Sequence, residues 1–387
     1  MSATTSPSAP STPEPVTFAL TEEQQLLRSM ARDLLAERAT PERVRGVMLE
    51  HGGFDQPLWD ELAGLGLTGL LVPEELGGAG SSFVEVSIVL EELGRRLAPV
   101  PYLASAVLGT TAVLHGATDE QQRRILPDVA AGASRLALAH LDAGGHLTSP
   151  PGIHAVRDGD GWVLDGQAGY VIDGQTATHL IVAAATDDGL ELFHVGGEAD
   201  GLSREAIEVL DLTRPMAQVT AAGLRVAEED RLGAGEPVAA LHAALAAGTT
   251  AIACEQLGGI QHTLEAATAF ARERVQFGRA IGSFQAVKHK LADMLVATES
   301  SRSTAEHAAR ILARGDREEL AIATPMAKAY CSEVYEQATG DAIQIHGGIG
   351  FTWEHDAHLY FKRAKSTKLL LGDPRHQRAL VGDVLGI

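Results

Sequence analysis

Apolar residues along this chain change their period twice, and the two changes divide it into three parts. After the polar quartet Thr21-Glu22-Glu23-Gln24, the residues Leu27, Met30, Ala31, Leu34 and Leu35 recur every three or four positions. That spacing lays them on one face of a helix. Thr21 stands where an N-cap accepts a backbone N–H and Gln24 can reach back to it, which makes a capping box. Residues 57–63, 82–96 and 120–129 also read as helices.

From 136 to 232 the pattern shortens. Trp162-Val163-Leu164, Leu180-Ile181-Val182 and the runs 190–195 and 219–226 are brief and rich in β-branched residues. Gly and Asp separate them, as in Asp158-Gly159-Asp160-Gly161. Short β-formers between turn residues predict an antiparallel β domain. Past Gly235 the helical period returns over 239–277. It resumes from Phe284 with Val287, Leu291, Met294 and Leu295 on one stripe, and again over 326–345. The expected fold class is therefore α+β: an N-terminal helical domain over 17–134, a central β domain over 135–233 and a C-terminal helical bundle over 234–387. Residues 1–16, rich in Ser, Thr and Pro, read as a disordered tail. No internal repeat is visible.

Composition narrows the partners. Against 51 Asp and Glu stand only 31 Lys and Arg, a formal net charge of −20, which argues against nucleic acid and anionic membrane surfaces. Cys254 and Cys331, the two cysteines, both fall in helical sequence without a metal-spaced partner, so a reducing, cytoplasmic setting is expected. No apolar run has the length of a membrane span, and the N-terminus lacks a signal peptide's apolar core.

Chemistry concentrates in two stretches. Gln344-Ile345-His346-Gly347-Gly348-Ile349-Gly350-Phe351 closes the helical run 326–345. Glycines there supply positive φ and remove the Cβ that would hold a ligand off the backbone. Alone, they read first as a helix stop. About seventy residues earlier comes Arg274-Val275-Gln276-Phe277-Gly278-Arg279-Ala280-Ile281-Gly282-Ser283-Phe284-Gln285. Alone, Arg274 reads as a solvated helix charge, and Phe277 and Phe284 as core residues.

Together the two stretches resemble the acyl-CoA dehydrogenase family, which carries R-x-x-F-G-x-x-(I/L)-x-x-x-Q and Q-x-x-G-G-x-G-(F/Y) in this order. Val72-Pro73-Glu74-Glu75-Leu76-Gly77-Gly78-Ala79-Gly80 is similar to a third family element, P-E-x-x-G-G-x-G. The resemblance runs from about Phe18 to Leu385. It implies the family's three-part fold with a C-terminal four-helix bundle, FAD as cofactor, an acyl-CoA substrate, an electron-transfer acceptor and an oligomer. Members oxidise the Cα–Cβ bond of an acyl-CoA thioester: a carboxylate takes the α-proton while the β-hydrogen leaves as hydride to the flavin.

By the same resemblance, the catalytic base is absent. It belongs about six residues past an R-(D)-A-K element. Arg363-Ala364-Lys365 and Gly372 supply that frame, and the base position holds Leu371. Some members carry the base on the preceding long helix, at the position that Gly248 occupies here. Asp373 is the nearest substitute base. The flavin-edge W-(I)-T-N-G becomes Tyr170-Val171-Ile172-Asp173-Gly174, and T-E-P-G-x-G-S becomes Ala139-His140-Leu141-Asp142-Ala143-Gly144-Gly145. An arginine common in the substrate-binding helix falls at Thr249. What persists are the residues that family members lend to a neighbouring chain's dinucleotide: Arg274, Phe277, Gln285, Gln344, Gly347 and Gly348. The expected partner is a homologous base-bearing subunit in a two-plus-two heterotetramer. The alternatives are a homo-oligomeric binding or scaffold protein, and a flavin-dependent relative with different chemistry.

Overall fold

The structure, a computed structural model, describes residues 19–387 except 51–52 and 148–149. The tail expected over 1–16 lies outside the described residues. Six helices come first: α1 (Glu22–Arg38), α2 (Pro41–Val47), α3 (Gln56–Gly64), α4 (Phe83–Arg96), α5 (Thr110–Gly116) and α6 (Asp119–Ala130). α1 starts on the expected capping box: Thr21 Oγ1 accepts the Gln24 N–H at 3.2 Å, and Gln24 Oε1 accepts the Thr21 N–H at 3.1 Å. Ser82 and Glu85 repeat the device on α4. Residues Leu103–Gly109, a π-helical turn running into α5, are buried throughout. Sequence reading did not mark this segment, because an apolar run buried on every side has no polar face to betray its period.

Seven strands follow: β1 (Leu136–Ala139), β2 (Ile153–Asp158), β3 (Gly161–Ile172), β4 (His179–Thr186), β5 (Gly189–Gly196), β6 (Leu202–Ala206) and β7 (Met216–Ala227). They form one sheet in the order β1-β4-β2-β3-β7-β6, with β5 added on β4. Most pairings are antiparallel, but β1 lies parallel to β4, with Leu136 opposite His179, and β2 touches β4 in parallel. Alternation within a strand does not encode its neighbour's direction, so the sheet is mixed where an antiparallel one was expected. Its own core packs Trp162 edge-on against Phe193, ring centroids 5.5 Å apart.

The chain closes with α7 (Pro237–Glu273), a short hairpin of β8 (Val275–Gln276) and β9 (Arg279–Ala280), α8 (Gln285–Arg314), α9 (Arg317–His346), α10 (Ala357–Leu369) and α11 (Pro374–Leu385). No run of membrane-span length was expected, yet α7 is, among the described residues, the one helix long and apolar enough to cross a membrane by length and composition. Of its apolar window 56% is buried inside the chain, which makes it the axis of the bundle. On α8, Met294 is buried with Val287 and Leu291 packed beside it, but Leu295 is 51% exposed. One residue past Met294 is a rotation of roughly 100°, enough to leave the face.

The N-terminal helices and the bundle share a single hydrophobic core. α4 and α7 touch backbone to backbone there. A Cβ on Gly94 would lie 2.0 Å from the Glu255 carbonyl oxygen, and one on Gly258 would lie 1.8 Å from that of Glu91.

Where β6 and β7 are joined, a buried ionic knot ties the sheet to the bundle. Arg363 of α10 donates to Asp211 (2.5 Å), Glu255 of α7 (2.6 Å), and the Thr213 hydroxyl (2.6 Å) and carbonyl (3.0 Å). Arg214 donates to the other oxygen of Glu255. Burial works against the Glu255 charge, yet the two guanidiniums outweigh it and hold its carboxyl below the usual range. Asp173, at the end of β3 with φ 54° and only 6% exposed, sits against the same loop through its N–H to the Pro215 carbonyl. Burial pushes its carboxyl up to about 7 despite Arg214 and Arg363.

Arg363→Met strands Asp211 and Glu255 without their shared cation, and should cost about 3–5 kcal/mol in urea unfolding. A loss below about 1 kcal/mol would contradict the knot's role. For Asp173 the folded pKa lies above the unfolded one, so its carboxyl costs stability progressively as pH rises from about 4 to about 7. Asp173→Asn should therefore melt above wild type at about pH 8, with the gap closing toward about pH 4 in Tm measured against pH.

Candidate functional site

One end of the bundle gathers the residues expected to be lent. α7 stops at Arg274, whose N–H still bonds the Phe270 carbonyl at 2.9 Å. Phe277 and Gly278, with φ 53° and 78°, then turn the β8–β9 hairpin. Two positive φ values make a turn in which phenylalanine is out of place, since its Cβ crowds the backbone. The ring it presents is 92% exposed. It meets Phe284 edge-on at 6.1 Å, and the Arg279 guanidinium covers that second ring at 4.1 Å.

Gln285 opens α8. Close by, α9 ends in Gln344 and then Gly347 (φ 65°) and Gly348, where an added Cβ would meet nothing within 4 Å. Phe270 of α7 and His346 of α9 touch at 4.5 Å, and Lys290 of α8 reaches Asp341 of α9, so both motifs share this end. His346 also hydrogen-bonds the Ala342 carbonyl through Nδ1 at 2.7 Å, a structural use. Among the described residues, the side chains of Arg274, Gln285 and Gln344 find no partner in this chain, and all three are exposed. Charge, amides, an aromatic face and bare backbone thus stand together, which fits a dinucleotide approached from outside.

The interior position is built differently. Leu371 follows α10 in a left-handed conformation (φ 53°). Its carbonyl accepts from Gln377 Nε2 at 2.6 Å. Lys328 of α9, fully buried, donates to the carbonyls of Lys368 and Gly372 at 3.2 Å each and to Ser332 Oγ at 3.1 Å. Burial brings this ammonium down to about 7. Lys328 and Gln377 thus clamp the turn from below, while the Leu371 N–H is left without a partner among the described residues. Asp373 caps α11, accepting the His376 N–H at 2.8 Å. Its carboxylate is engaged with backbone.

Gly248 of α7 faces the same turn. A Cβ built there would come within 2.9 Å of Leu371 Cδ1 and 2.4 Å of Leu108 Cδ2. The two positions named for a base converge on one point, and neither side chain can accept a proton. Thr249 beside them donates its hydroxyl to the Leu245 carbonyl at 2.7 Å. On the sheet side, Ile172 is buried in the helical core, and Tyr170 (φ 53°) lays its ring over Gly145. A Cβ on Gly145 would lie 2.4 Å from that ring. His140 keeps a buried Nε2 without a partner among the described residues, and burial lowers its pKa to about 4. Ile172 puts a hydrocarbon side chain at the position where the resemblance places a threonine hydroxyl, so this side fits an isoalloxazine poorly. Sequence reading missed Leu108, Lys328 and Gln377. Only Lys328 carried a signal, a lone lysine within an apolar helix.

Comparison with known proteins agrees with this anatomy. Residues 238–386 match the family described as "Acyl-CoA dehydrogenase, C-terminal domain", and residues 21–133 match "Acyl-CoA dehydrogenase, N-terminal domain". The acyl-CoA dehydrogenase IpdE2 of Mycolicibacterium smegmatis is 33% identical over 92% of this chain and 97% of its own length. Among solved structures, a variant of the Tcur3481-Tcur3483 steroid ACAD superposes with a TM-score of 0.85 at 35% identity, over 94% of this chain and 98% of that one. The ChsE4-ChsE5 complex from Mycobacterium tuberculosis gives 0.88 at 30% identity, over 96% and 99%. The chain therefore belongs to the acyl-CoA dehydrogenase family, FAD-dependent oxidoreductases acting on CH–CH bonds.

Proposed function

We propose that this chain is the base-lacking subunit of a mixed acyl-CoA dehydrogenase, paired two-plus-two with a homologous subunit that bears the base. The observation that carries the reading is the convergence of Leu371 and Gly248 on one point with no carboxylate there, while the opposite end of the bundle stays open. Two full-length structural neighbours are named as pairs, Tcur3481-Tcur3483 and ChsE4-ChsE5, which supports a two-component assembly. A reducing compartment suits the two buried free thiols.

When bound, FAD supplies the hydride acceptor for α,β-desaturation of the thioester, and an external electron acceptor reoxidises it. This chain's contribution is to hold and orient. Arg274 supplies positive charge to the pyrophosphate, locally reversing the chain's acidic balance. Phe277 offers a face to the adenine, and its left-handed turn keeps the ring presented rather than folded back. Gln285 and Gln344 supply hydrogen bonds, and Gly347 and Gly348 let the backbone approach closely. The free Leu371 N–H can still donate to a carbonyl oxygen, but no group beside it can take a proton.

Expressed alone, the chain should show negligible acyl-CoA dehydrogenation in a dye-reduction assay. A positioned base contributes on the order of a hundredfold to ten-thousandfold. Leu371→Glu should restore little, because Ile172 and the 139–145 loop also lack flavin-holding groups. Dye reduction by the wild-type chain alone at ordinary enzyme rates would overturn the reading, and Asp373 would then be the first residue to replace.

Arg274→Ala acts on the other half of the proposal. In the complex with a base-bearing homologue it should weaken FAD retention by about 1.5–3 kcal/mol, the worth of a charge-assisted hydrogen bond. Flavin content after gel filtration reads it directly. Unchanged retention would remove Arg274 from the donor face.

A further inference from the structure

The point where Leu371 and Gly248 converge is also filled. Leu108, on the π-helical turn before α5, is 2% exposed and lies against α7 at Gly248. The space that a Cβ on Gly248 would need is already held by Leu108 Cδ2 at 2.4 Å, Leu371 Cδ1 at 2.9 Å and Leu108 Cγ at 3.2 Å. Gly248 thus lets two leucine side chains settle on the helix backbone.

A base placed at either position would have to reach one substrate carbon, so the region between 371 and 248 is where the acyl group's reacting end would lie. Here that region is occupied by hydrocarbon belonging to the chain itself. We infer that Leu108, together with Leu371, acts as an internal plug that closes this chain's own acyl-binding space. Leu108 is then a specificity-determining residue. It confines thioester binding to the partner and leaves this chain able to grip at most the CoA portion. The plug rests on the proposed base-lacking role but goes further: a chain could lack the base and still hold an acyl group.

The geometry explains why two leucines suffice. Leu371, partly buried, hangs from a turn whose backbone carbonyls are held by Lys328 and Gln377, so the point from which its side chain projects is fixed. Leu108 is pinned by full burial in the common core. An acyl chain entering would have to displace both, so its own contacts would first have to replace the packing lost.

Calorimetric titration of the purified chain with free CoA and with octanoyl-CoA tests the plug. Wild type should bind the two within about twofold of each other, or bind neither, because no methylene is buried. Burying acyl methylenes would instead gain on the order of tenfold for each pair. A wild-type preference for octanoyl-CoA of about tenfold or more would overturn the plug. Such a result would leave the base-lacking reading standing as long as the chain remained inactive, so the two failures are distinguishable.

A second measurement does not depend on ligand. Gly248→Ala should lower Tm, and the loss should shrink in the Leu108→Ala background, where the closest colliding group is gone and only Leu371 Cδ1 at 2.9 Å remains in the way. Additive losses in the double variant would show that Leu108 does not fill the space at Gly248, and would sink the inference even if CoA binding proved undetectable.

Discussion

The arrangement of the whole chain depends on the ion cluster around Arg363. That guanidinium is buried, and its attraction to Asp211 and Glu255 outweighs the cost of burying it only because all three of its nitrogens donate. The cluster draws on three distant parts of the sequence: the loop between β6 and β7, the middle of α7, and α10. It therefore sets how the sheet sits on the bundle. The turn carrying Leu371 begins where α10 ends, so the same anchor fixes the point at which chemistry would occur. Arg214 shares Glu255 but keeps a buried Nη1 without a partner among the described residues, so the cluster is strained at that corner.

From that anchor the two ends of the bundle diverge in character. Around Leu371 the groups are engaged apart from its own N–H: carbonyls accept from Lys328 and Gln377, Asp373 caps a helix, and Leu108 packs onto Gly248. Around Arg274 and Gln344 very little is satisfied internally, and a phenylalanine stands almost fully exposed in a conformation it disfavours. Proteins do not ordinarily leave a charge, two amides and a strained aromatic side by side without a use. The contrast between a closed interior and an open end is the physical basis of the supporting role proposed for this chain.

Electrostatics point the same way. A chain of net charge −20 is a poor general host for a polyanionic thioester or dinucleotide, so any grip must be local. In the proposed reading Arg274 provides it at the open end, whereas the arginines of the interior knot are neutralised by carboxylates. Lys328 is likewise committed to backbone carbonyls and, with its proton loosened by burial, adds little field to the Leu371 turn.

Much of this was legible in the order of residues. Capping residues such as Thr21 with Gln24 act through neighbours three positions away, so they could be read locally, and so could the switch from helical to strand period near residue 136. The family motifs at 272–285 and 344–351, the leucine at 371 and the glycine at 248 were equally plain, because a base is either present in a chain or it is not. What those positions share emerged only with the fold. Nothing in the sequence says that 108, 248 and 371 meet, because burial on every side erases the period that marks a helix face. Nor does it say that β1 runs parallel to β4, since strand direction is set by the path of the connection rather than by composition. That Arg274 stands exposed and without a side-chain partner among the described residues also had to wait for three dimensions, because which groups come within reach of a side chain is set by the fold.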